Sequence, residues 1–163
     1  ENVSLDEVVV RLLLKRNLTL SAAESCTGGL FADLITSHPG SSAAFLGGVV
    51  TYTNAAKMNM LGVPRQLLEG EDAPGAVSAE TAIAMARHVR EKLGSTYGIS
   101  FTGVAGPSPS EGKPVGHVYV GIAEEGKPAE VRELKLTGSR EMIKLRAARA
   151  GLYELLKRLT DQG

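Results

Sequence analysis

Short apolar segments with a strand pattern alternate with amphipathic helical patterns along the chain, and this alternation constrains the fold more than any other feature. The strand pattern covers residues 18–24, 45–53, 97–106, 115–125 and 129–136. Helical patterns separate the first three segments, which favours parallel pairing because parallel strands need long crossovers. The last two segments are joined by a short turn around Glu125 and Gly126, which predicts an antiparallel hairpin. We therefore expect a three-layer α/β/α sandwich over a mixed, mostly parallel sheet of about five strands.

Capping residues and glycines mark where the predicted helices begin and end. The helical patterns cover residues 5–15, a segment from about 27 to 38, 54–62, a short turn after Pro64, 78–94 and about 139–159. Ser4, Asn54 and Ser78 are predicted N-caps, because their side-chain oxygens accept hydrogen bonds from a first helical turn. Gly62 and Gly94 are predicted to end their helices.

Length, charge and cysteine content bound the class of protein. The 163 residues suit one domain, and we treat 1–163 as a single domain. The 18 basic and 18 acidic residues balance, which argues against a nucleic-acid partner because such proteins carry a clustered basic face. No apolar stretch approaches the roughly 18 residues of a membrane span, so we expect no membrane partner. Cys26 is the only cysteine, which excludes a disulfide within the chain and favours a cytoplasmic location.

Two of the predicted strands end in unusual runs of small residues. One is "ESCTGG" at residues 24–29, and the other is "FTGVAGP" at residues 101–107. Ligand sites of open α/β sheets gather where strands end and helices begin, and amides at the start of a helix near Thr27 would suit an anion or a developing oxyanion. The alternative is a strand–turn–helix joint that needs its glycines only for packing.

Most familiar catalytic groups find no support in the residue pattern. A cysteine nucleophile needs a histidine base, and none of the three histidines stands in a helpful pattern, so we interpret Cys26 as a buried packing residue. The chain has no G-x-S-x-G elbow for a Ser-His-Asp triad. It also lacks H-E-x-x-H and paired cysteines, so we predict no metal site.

Ser25 with a lysine base remains as the strongest catalytic hypothesis. Lys57 lies 32 residues after Ser25, at the end of the next predicted strand, and adjacent parallel strands would bring both to one edge of the sheet. A lysine base must be neutral, and lowering its pKa from about 10.4 towards 7 requires roughly 4–5 kcal/mol. Burial, or a positive charge such as that of Arg140, would act in that direction. The alternative is a solvated lysine on a helix face.

Five segments in order carry a resemblance to a known family: "AESCTGG", "VVTYTNAAKMNMLGV", "GAVS", "FTGVAGP" and "KPVGHVYV". From about Leu5 to Leu156, the chain resembles the CinA C-terminal domain family, the nicotinamide-nucleotide amidases or NMN deamidases. The resemblance implies an α/β/α sandwich. It also implies hydrolysis of the carboxamide of nicotinamide mononucleotide to nicotinate mononucleotide and ammonia.

The resemblance also assigns roles to single residues. It implies that Ser25 is the nucleophile and Lys57 the base of a Ser-Lys dyad that works through an acyl-enzyme, with Tyr52 tuning Lys57 or stacking near the pyridinium ring. Arg140 would hold the nucleotide phosphate. The full set of predicted substrate-binding residues is Glu24, Thr27, Gly28, Gly29, Asn54, Thr102, Gly103 and Arg140. Glu24 is expected to orient a neighbour, and the amides near Thr27 and Gly28 to stabilise the oxyanion. No metal or redox cofactor is expected.

Partners and alternatives follow from the same resemblance. We expect a small-molecule nucleotide as substrate and a homo-oligomer as the assembly. Some family members carry an N-terminal domain resembling molybdopterin-binding proteins, and this chain begins without Met. The chain departs from the family pattern at the "SPSEG" loop and at Lys144, where relatives often have an arginine. Two other functions stay open: a nucleotide-binding or partner-docking module without turnover, and an amidase for a different substrate.

Overall fold

The structure, a computed structural model, describes residues 3–161. Its elements, in chain order, are α1 (Leu5–Lys15), β1 (Leu20–Glu24), α2 (Leu30–Thr36), a short 3₁₀ turn (Ser41–Ala43), β2 (Phe45–Val50), α3 (Asn54–Leu61), α4 (Arg65–Leu68), α5 (Ala79–Leu93), β3 (Tyr97–Gly103), β4 (His117–Glu124), β5 (Glu130–Lys135) and α6 (Arg140–Thr160). Strands and helices alternate as far as β3, and a hairpin follows.

The five strands form one mixed sheet in the order β2-β1-β3-β4-β5. β1 pairs in parallel with both β2 and β3, whereas β4 is antiparallel to β3 and β5. Only β4 therefore runs against the other strands of the sheet, which confirms the mixed, mostly parallel prediction. Because β1, β2 and β3 point the same way, their carboxyl ends meet at one edge.

The two faces of the sheet carry side chains of different size. The face covered by α1, α2 and α6 carries large apolar residues such as Ile99 and Phe101 of β3, which face Gly151 of α6. The face covered by α5 holds small residues, because α5 lies very close to the strands. A Cβ atom at Gly98 would stand 2.3 Å from the Ala86 carbonyl oxygen, so glycine is required for this approach. The α/β/α layering is confirmed.

Most helix ends lie where the sequence predicts them. The Ser4 hydroxyl accepts a hydrogen bond from the Glu7 amide, and the Ser78 hydroxyl accepts one from the Thr81 amide. Gly62 and Gly94 follow their helices with left-handed backbone angles. These signals are local, so the sequence pattern alone predicts them correctly.

Two helix starts differ from the prediction. α3 is capped by Thr53, whose hydroxyl accepts from the Ala56 amide, and the predicted cap Asn54 is the first helical residue. α2 begins at Leu30 instead of near Thr27. The reason is the backbone of Gly29, whose φ of 103° lies in the left-handed region and cannot belong to the helix. Within residues 3–161, no helix combines the length and apolar character that a membrane crossing requires.

Candidate active site

Ser25 lies at the sheet edge where the parallel strands end. It directly follows β1, and its amide donates to the Phe101 carbonyl oxygen at 2.9 Å, which ties it to β3. On the other side, the Thr51 amide donates to the Glu24 carbonyl oxygen at 2.8 Å, which ties β1 to the end of β2. Pairing on both sides therefore fixes the backbone at Glu24 and Ser25, and Ser25 is 8% exposed.

Lys57 projects from α3 onto Ser25. Its Nζ donates to Ser25 Oγ at 2.9 Å and to the Thr51 carbonyl oxygen at 2.8 Å. Lys57 is only 1% exposed, and no ion pair involves it within residues 3–161. The structure thus joins two residues 32 positions apart, and the alternative of a solvated lysine is wrong.

Burial sets the pKa of Lys57. Removal from water disfavours the ammonium form and lowers the pKa from 10.5 to about 8, although the negative charge of the Glu111 carboxylate acts in the opposite direction. Arg140, which the sequence offered as a second cause, is not among the groups that lower this pKa. About a tenth of the amine is then neutral at pH 7 and about half at pH 8, and the neutral form is the one that can act as a general base.

Glu24 organises the turn that carries Ser25. The residue is 1% exposed, and its Oε1 accepts hydrogen bonds from Thr27 Oγ1 at 2.6 Å and from the Phe31 amide at 2.9 Å. Its Oε2 accepts from the Ala32 amide at 3.0 Å. The carboxylate therefore satisfies amides at the start of α2 that have no partner inside the helix. Glu24 therefore supports the Ser25 turn from behind, and its carboxylate is engaged with the start of α2.

The remaining residues of the turn also lie away from the predicted substrate contact. Gly28 is exposed on the outer surface and its amide donates to the Ser25 carbonyl oxygen at 3.0 Å. The Gly29 amide donates to Glu24 Oε1 at 3.2 Å. The predicted oxyanion donor Gly28 is therefore already engaged. Among the described residues, no oxygen accepts a hydrogen bond from the amide of Cys26 or of Thr27.

A cavity of about 310 Å³ opens over Ser25, and we call it the Ser25 cavity. It is lined by Ser25, Cys26, Tyr52, Asn54, Lys57, Ala76, Val77, Thr102, Gly103, Val104, Ala105, Gly106, Ser108, Ser110, Glu111 and Arg140. The predicted residues Asn54, Thr102, Gly103 and Arg140 line it together with Ser25, Lys57 and Tyr52. The predicted residues Glu24, Thr27, Gly28 and Gly29 do not, because they lie behind or outside the Ser25 turn.

The sequence analysis assigned no site residue to one wall of this cavity, although it singled out the "GAVS" and "SPSEG" segments that form the wall. Ala76 and Val77 precede α5, and Glu111 belongs to the loop before β4. The Thr102 hydroxyl donates to the Ala76 carbonyl oxygen at 2.7 Å, so it supports this wall. The adjacent pair Glu111 and Gly112 is a turn signal, but it does not show which wall the loop reaches.

Arg140 and Tyr52 meet at the mouth of the Ser25 cavity. Arg140 is the first residue of α6, and its guanidinium donates to Tyr52 Oη at 2.6 Å and to the Gly106 carbonyl oxygen. Tyr52 is 57% exposed. Its hydroxyl bonds to Arg140 and not to Lys57, so direct tuning of Lys57 by Tyr52 is absent from this arrangement.

Cys26 is a packing residue in this geometry. It is 6% exposed and belongs to the apolar core. Burial raises the pKa of its thiol to about 12, so the thiolate nucleophile is not populated near neutral pH. Across residues 3–161, no cluster of three or more His, Cys, Asp or Glu side chains has a geometry for a metal ion.

The fold and the site define an α/β/α domain with a serine and a buried, uncompensated lysine at the carboxyl ends of its parallel strands. Residues 2–159 match the CinA C-terminal domain model, and the chain belongs to this family.

Relatives and solved structures agree with this assignment. The chain is 50% identical over 160 residues to a protein of Moorella thermoacetica provisionally named a competence-damage inducible protein, covering 98% of this chain and 38% of the relative. A Bacillus subtilis protein with the same name is 50% identical over 148 residues, covering 91% of this chain and 35% of the relative. The chain therefore spans little more than a third of these curated relatives.

Two crystal structures match the chain over almost its whole length. The competence damage-inducible protein A of Klebsiella pneumoniae has a TM-score of 0.91 at 31% identity, covering 98% of this chain and 97% of the other. A competence/damage inducible protein of Agrobacterium tumefaciens has a TM-score of 0.85 at 36% identity, covering 98% of each chain.

Proposed function

We propose that this domain hydrolyses the carboxamide of nicotinamide mononucleotide to nicotinate mononucleotide and ammonia, with Ser25 as nucleophile and Lys57 as general base. The observation that carries the proposal is the 2.9 Å contact between Lys57 Nζ and Ser25 Oγ, made by a lysine that burial holds at a pKa of about 8. The substrate follows from the family resemblance and from the cations of the cavity.

The first half of the reaction forms an acyl-enzyme. Neutral Lys57 accepts the hydroxyl proton of Ser25 while Oγ attacks the carboxamide carbon. The C–N bond of the tetrahedral intermediate then breaks, and the Lys57 ammonium gives its proton to the leaving nitrogen, which departs as ammonia. The nicotinoyl group remains as an ester on Ser25.

The second half releases the acid. Water attacks the ester carbon, Lys57 accepts its proton, and the proton returns to Ser25 Oγ as the C–O bond to the enzyme breaks. The amide of Cys26, which has no oxygen acceptor among the described residues, is the best-placed donor for the oxyanion, and such a donor contributes about 3 kcal/mol. Arg140 suits the phosphate because its planar fork binds phosphate oxygens in pairs.

The test is ammonia release from nicotinamide mononucleotide, with nicotinate mononucleotide measured as the co-product. We expect turnover by the wild type and a loss of at least about a thousandfold for Ser25→Ala, with binding retained. Cys26→Ala is the matched control at the neighbouring position and should remain active. Binding without ammonia release by the wild type would indicate a binding module, and absence of both binding and ammonia release would rule out nicotinamide mononucleotide as the substrate.

A further inference from the structure

One carboxylate lines the Ser25 cavity. Glu111 is the acidic residue of that lining, alongside the cationic side chains of Lys57 and Arg140. Arg140 is anchored to Tyr52 and to the Gly106 carbonyl, whereas Glu111 is anchored elsewhere on the wall. The cavity thus offers separate places for an anionic and a cationic part of one ligand.

Glu111 has left-handed backbone angles, which glycine and asparagine adopt more readily than glutamate. The Ser110 amide donates to the Lys113 carbonyl oxygen at 3.2 Å, and the Lys113 amide returns a bond to Ser110 at 2.8 Å. Glu111 and Gly112 between them have φ angles of 54° and 71°, as in a type I′ turn. A glutamate is uncommon in this left-handed region, so the turn carries this side chain against a backbone preference.

The carboxylate lies between the cavity and its own counter-ion. Its oxygens accept from the Ala76 amide at 3.0 Å and the Val77 amide at 3.1 Å. Lys113 Nζ donates to Glu111 at 3.2 Å and to the Pro74 carbonyl oxygen at 2.7 Å. Lys113 does not belong to the cavity lining, so a bound ligand meets the negative charge first.

The Glu111 charge also acts across the cavity on the proposed base. Burial dominates the pKa of Lys57, and the Glu111 carboxylate is one of the groups that oppose its fall. A charge that reaches Lys57 reaches a ligand placed over Ser25, because that ligand lies in the same cavity.

We propose that Glu111 is a specificity-determining residue that favours ligands whose ring carries a positive charge, so that the Ser25 cavity selects a pyridinium carboxamide over its neutral-ring counterpart. This inference rests on the proposed function, which supplies the carboxamide nucleotide. Arg140 then takes the anionic phosphate, and the Glu111 carboxylate stabilises the cationic ring. The selectivity is electrostatic and needs no contact to the carboxamide itself.

The test compares two ligands in the full chain carrying Ser25→Ala, which prevents turnover. The ligands are nicotinamide mononucleotide and its 1,4-dihydro form, which keeps the carboxamide, ribose and phosphate but has a neutral ring. The measured quantity is the ratio of the two Kd values by calorimetry. We expect the charged ring to bind more tightly, and Glu111→Gln to reduce that preference by about tenfold.

Lys113→Met is the matched control because it loosens the same loop contacts but keeps the carboxylate. It removes the cation that offsets Glu111, so the preference for the charged ring should rise. If Glu111→Gln does not fold, judged by circular dichroism, the Lys113→Met ratio decides alone: a rise supports the proposal, and an unchanged or lowered ratio overturns it.

The outcomes separate this inference from the proposed function. An unchanged ratio in Glu111→Gln, or an equal fall in both variants, overturns the selectivity while wild-type ammonia release still supports the amidase. Absence of binding of either ligand, together with absence of ammonia release by the wild type, overturns both.

Discussion

Two cavities of similar size differ in how their charges are paired. The Ser25 cavity has a volume of about 310 Å³, and a groove between β4, β5 and α6 has about 350 Å³. We call the second the charged groove; its ion pairs join Arg132 and Lys157 to Glu154, Arg158 to Glu130 and Lys127 to Glu124. The two cavities do not differ much in volume. They differ in whether their buried ionisable groups have partners of opposite charge.

In the charged groove, each buried charge meets its opposite. Glu154 is 6% exposed and accepts from Arg132 and from Lys157, each at 2.8 Å. Burial alone would raise the pKa of Glu154, but the hydrogen bonds from Lys157 and Arg132 lower it below its usual value. In the Ser25 cavity, Lys57 meets only neutral oxygens. Burial with a counter-ion keeps the Glu154 carboxylate ionised. Burial without a counter-ion lowers the pKa of Lys57, so that its neutral form can act as a base.

The largest effect is expected from Lys57→Arg. A guanidinium cannot lose its proton at usable pH, so kcat/KM for nicotinamide mononucleotide should fall by at least about a thousandfold. In the wild type, kcat/KM should rise with pH through the Lys57 pKa of about 8, because only the neutral amine is a base. An active Lys57→Arg enzyme with the same ascending limb would remove Lys57 as the base.

A second test asks whether the uncompensated lysine costs stability. The folded pKa of Lys57 lies below its ordinary value of 10.5, so below pH 8 the folded state must bury a charge that the unfolded state keeps in water. Between about pH 8 and 10.5 the unfolded state binds more protons, and stability rises with pH. Lys57→Met should therefore raise the free energy of unfolding at pH 7 by about 2 kcal/mol.

Urea denaturation at pH 7 and pH 10.5 measures this gain. It should shrink towards zero at the higher pH, where the wild-type amine is neutral in the folded state and about half neutral in the unfolded state. A loss of stability at pH 7 would mean that the Thr51 and Ser25 hydrogen bonds outweigh the cost of burial.

Glu154→Gln should act in the opposite sense. It weakens two ion pairs at once and should lower the free energy of unfolding at pH 7 by about 1–2 kcal/mol. Because the folded pKa of Glu154 is lowered, its stabilisation is present above the unfolded pKa and is lost as pH falls through the folded pKa. Urea denaturation at pH 7 and pH 3 measures the loss of stability and its dependence on pH. The kcat for ammonia release should be unchanged. A large fall in kcat would couple the charged groove to the Ser25 cavity.

The smallest effect is expected from Lys157→Met. The Lys157 side chain is 42% exposed, and Arg132 still pairs with Glu154 in the variant, so the free energy of unfolding should change by no more than about 0.5 kcal/mol. The same lysine-to-methionine change should thus alter the free energy of unfolding differently in the two regions: a rise at Lys57 and almost no change at Lys157. A loss comparable to that of Glu154→Gln would show that solvent does not weaken this pair.

Local signals account for the elements that the sequence predicts correctly. α5 lies between Ser78 and Gly94, because a hydroxyl cap and a left-handed glycine are properties of single positions. The predicted start of α3 is wrong by one residue because Thr53 and Asn54 are both good caps, and in the structure the Thr53 hydroxyl accepts the capping hydrogen bond. The predicted α2 start is wrong because Gly29 has a left-handed φ, and because the Glu24 carboxylate at the end of β1 accepts hydrogen bonds from the Phe31 and Ala32 amides.

The sequence by itself determined the alternation of elements and the sheet type, because periodicity and capping are properties of neighbouring residues. Its motifs and the ends of its predicted strands supplied Ser25 and Lys57 as candidates. Only the tertiary structure decided that Lys57 is buried against Ser25 without a counter-ion, and that Glu111 meets residues 76–77 across 34 and 35 positions. The physical reason is that a pKa and a cavity charge depend on desolvation and on contacts between distant segments. Spacing along the chain determines neither of these quantities.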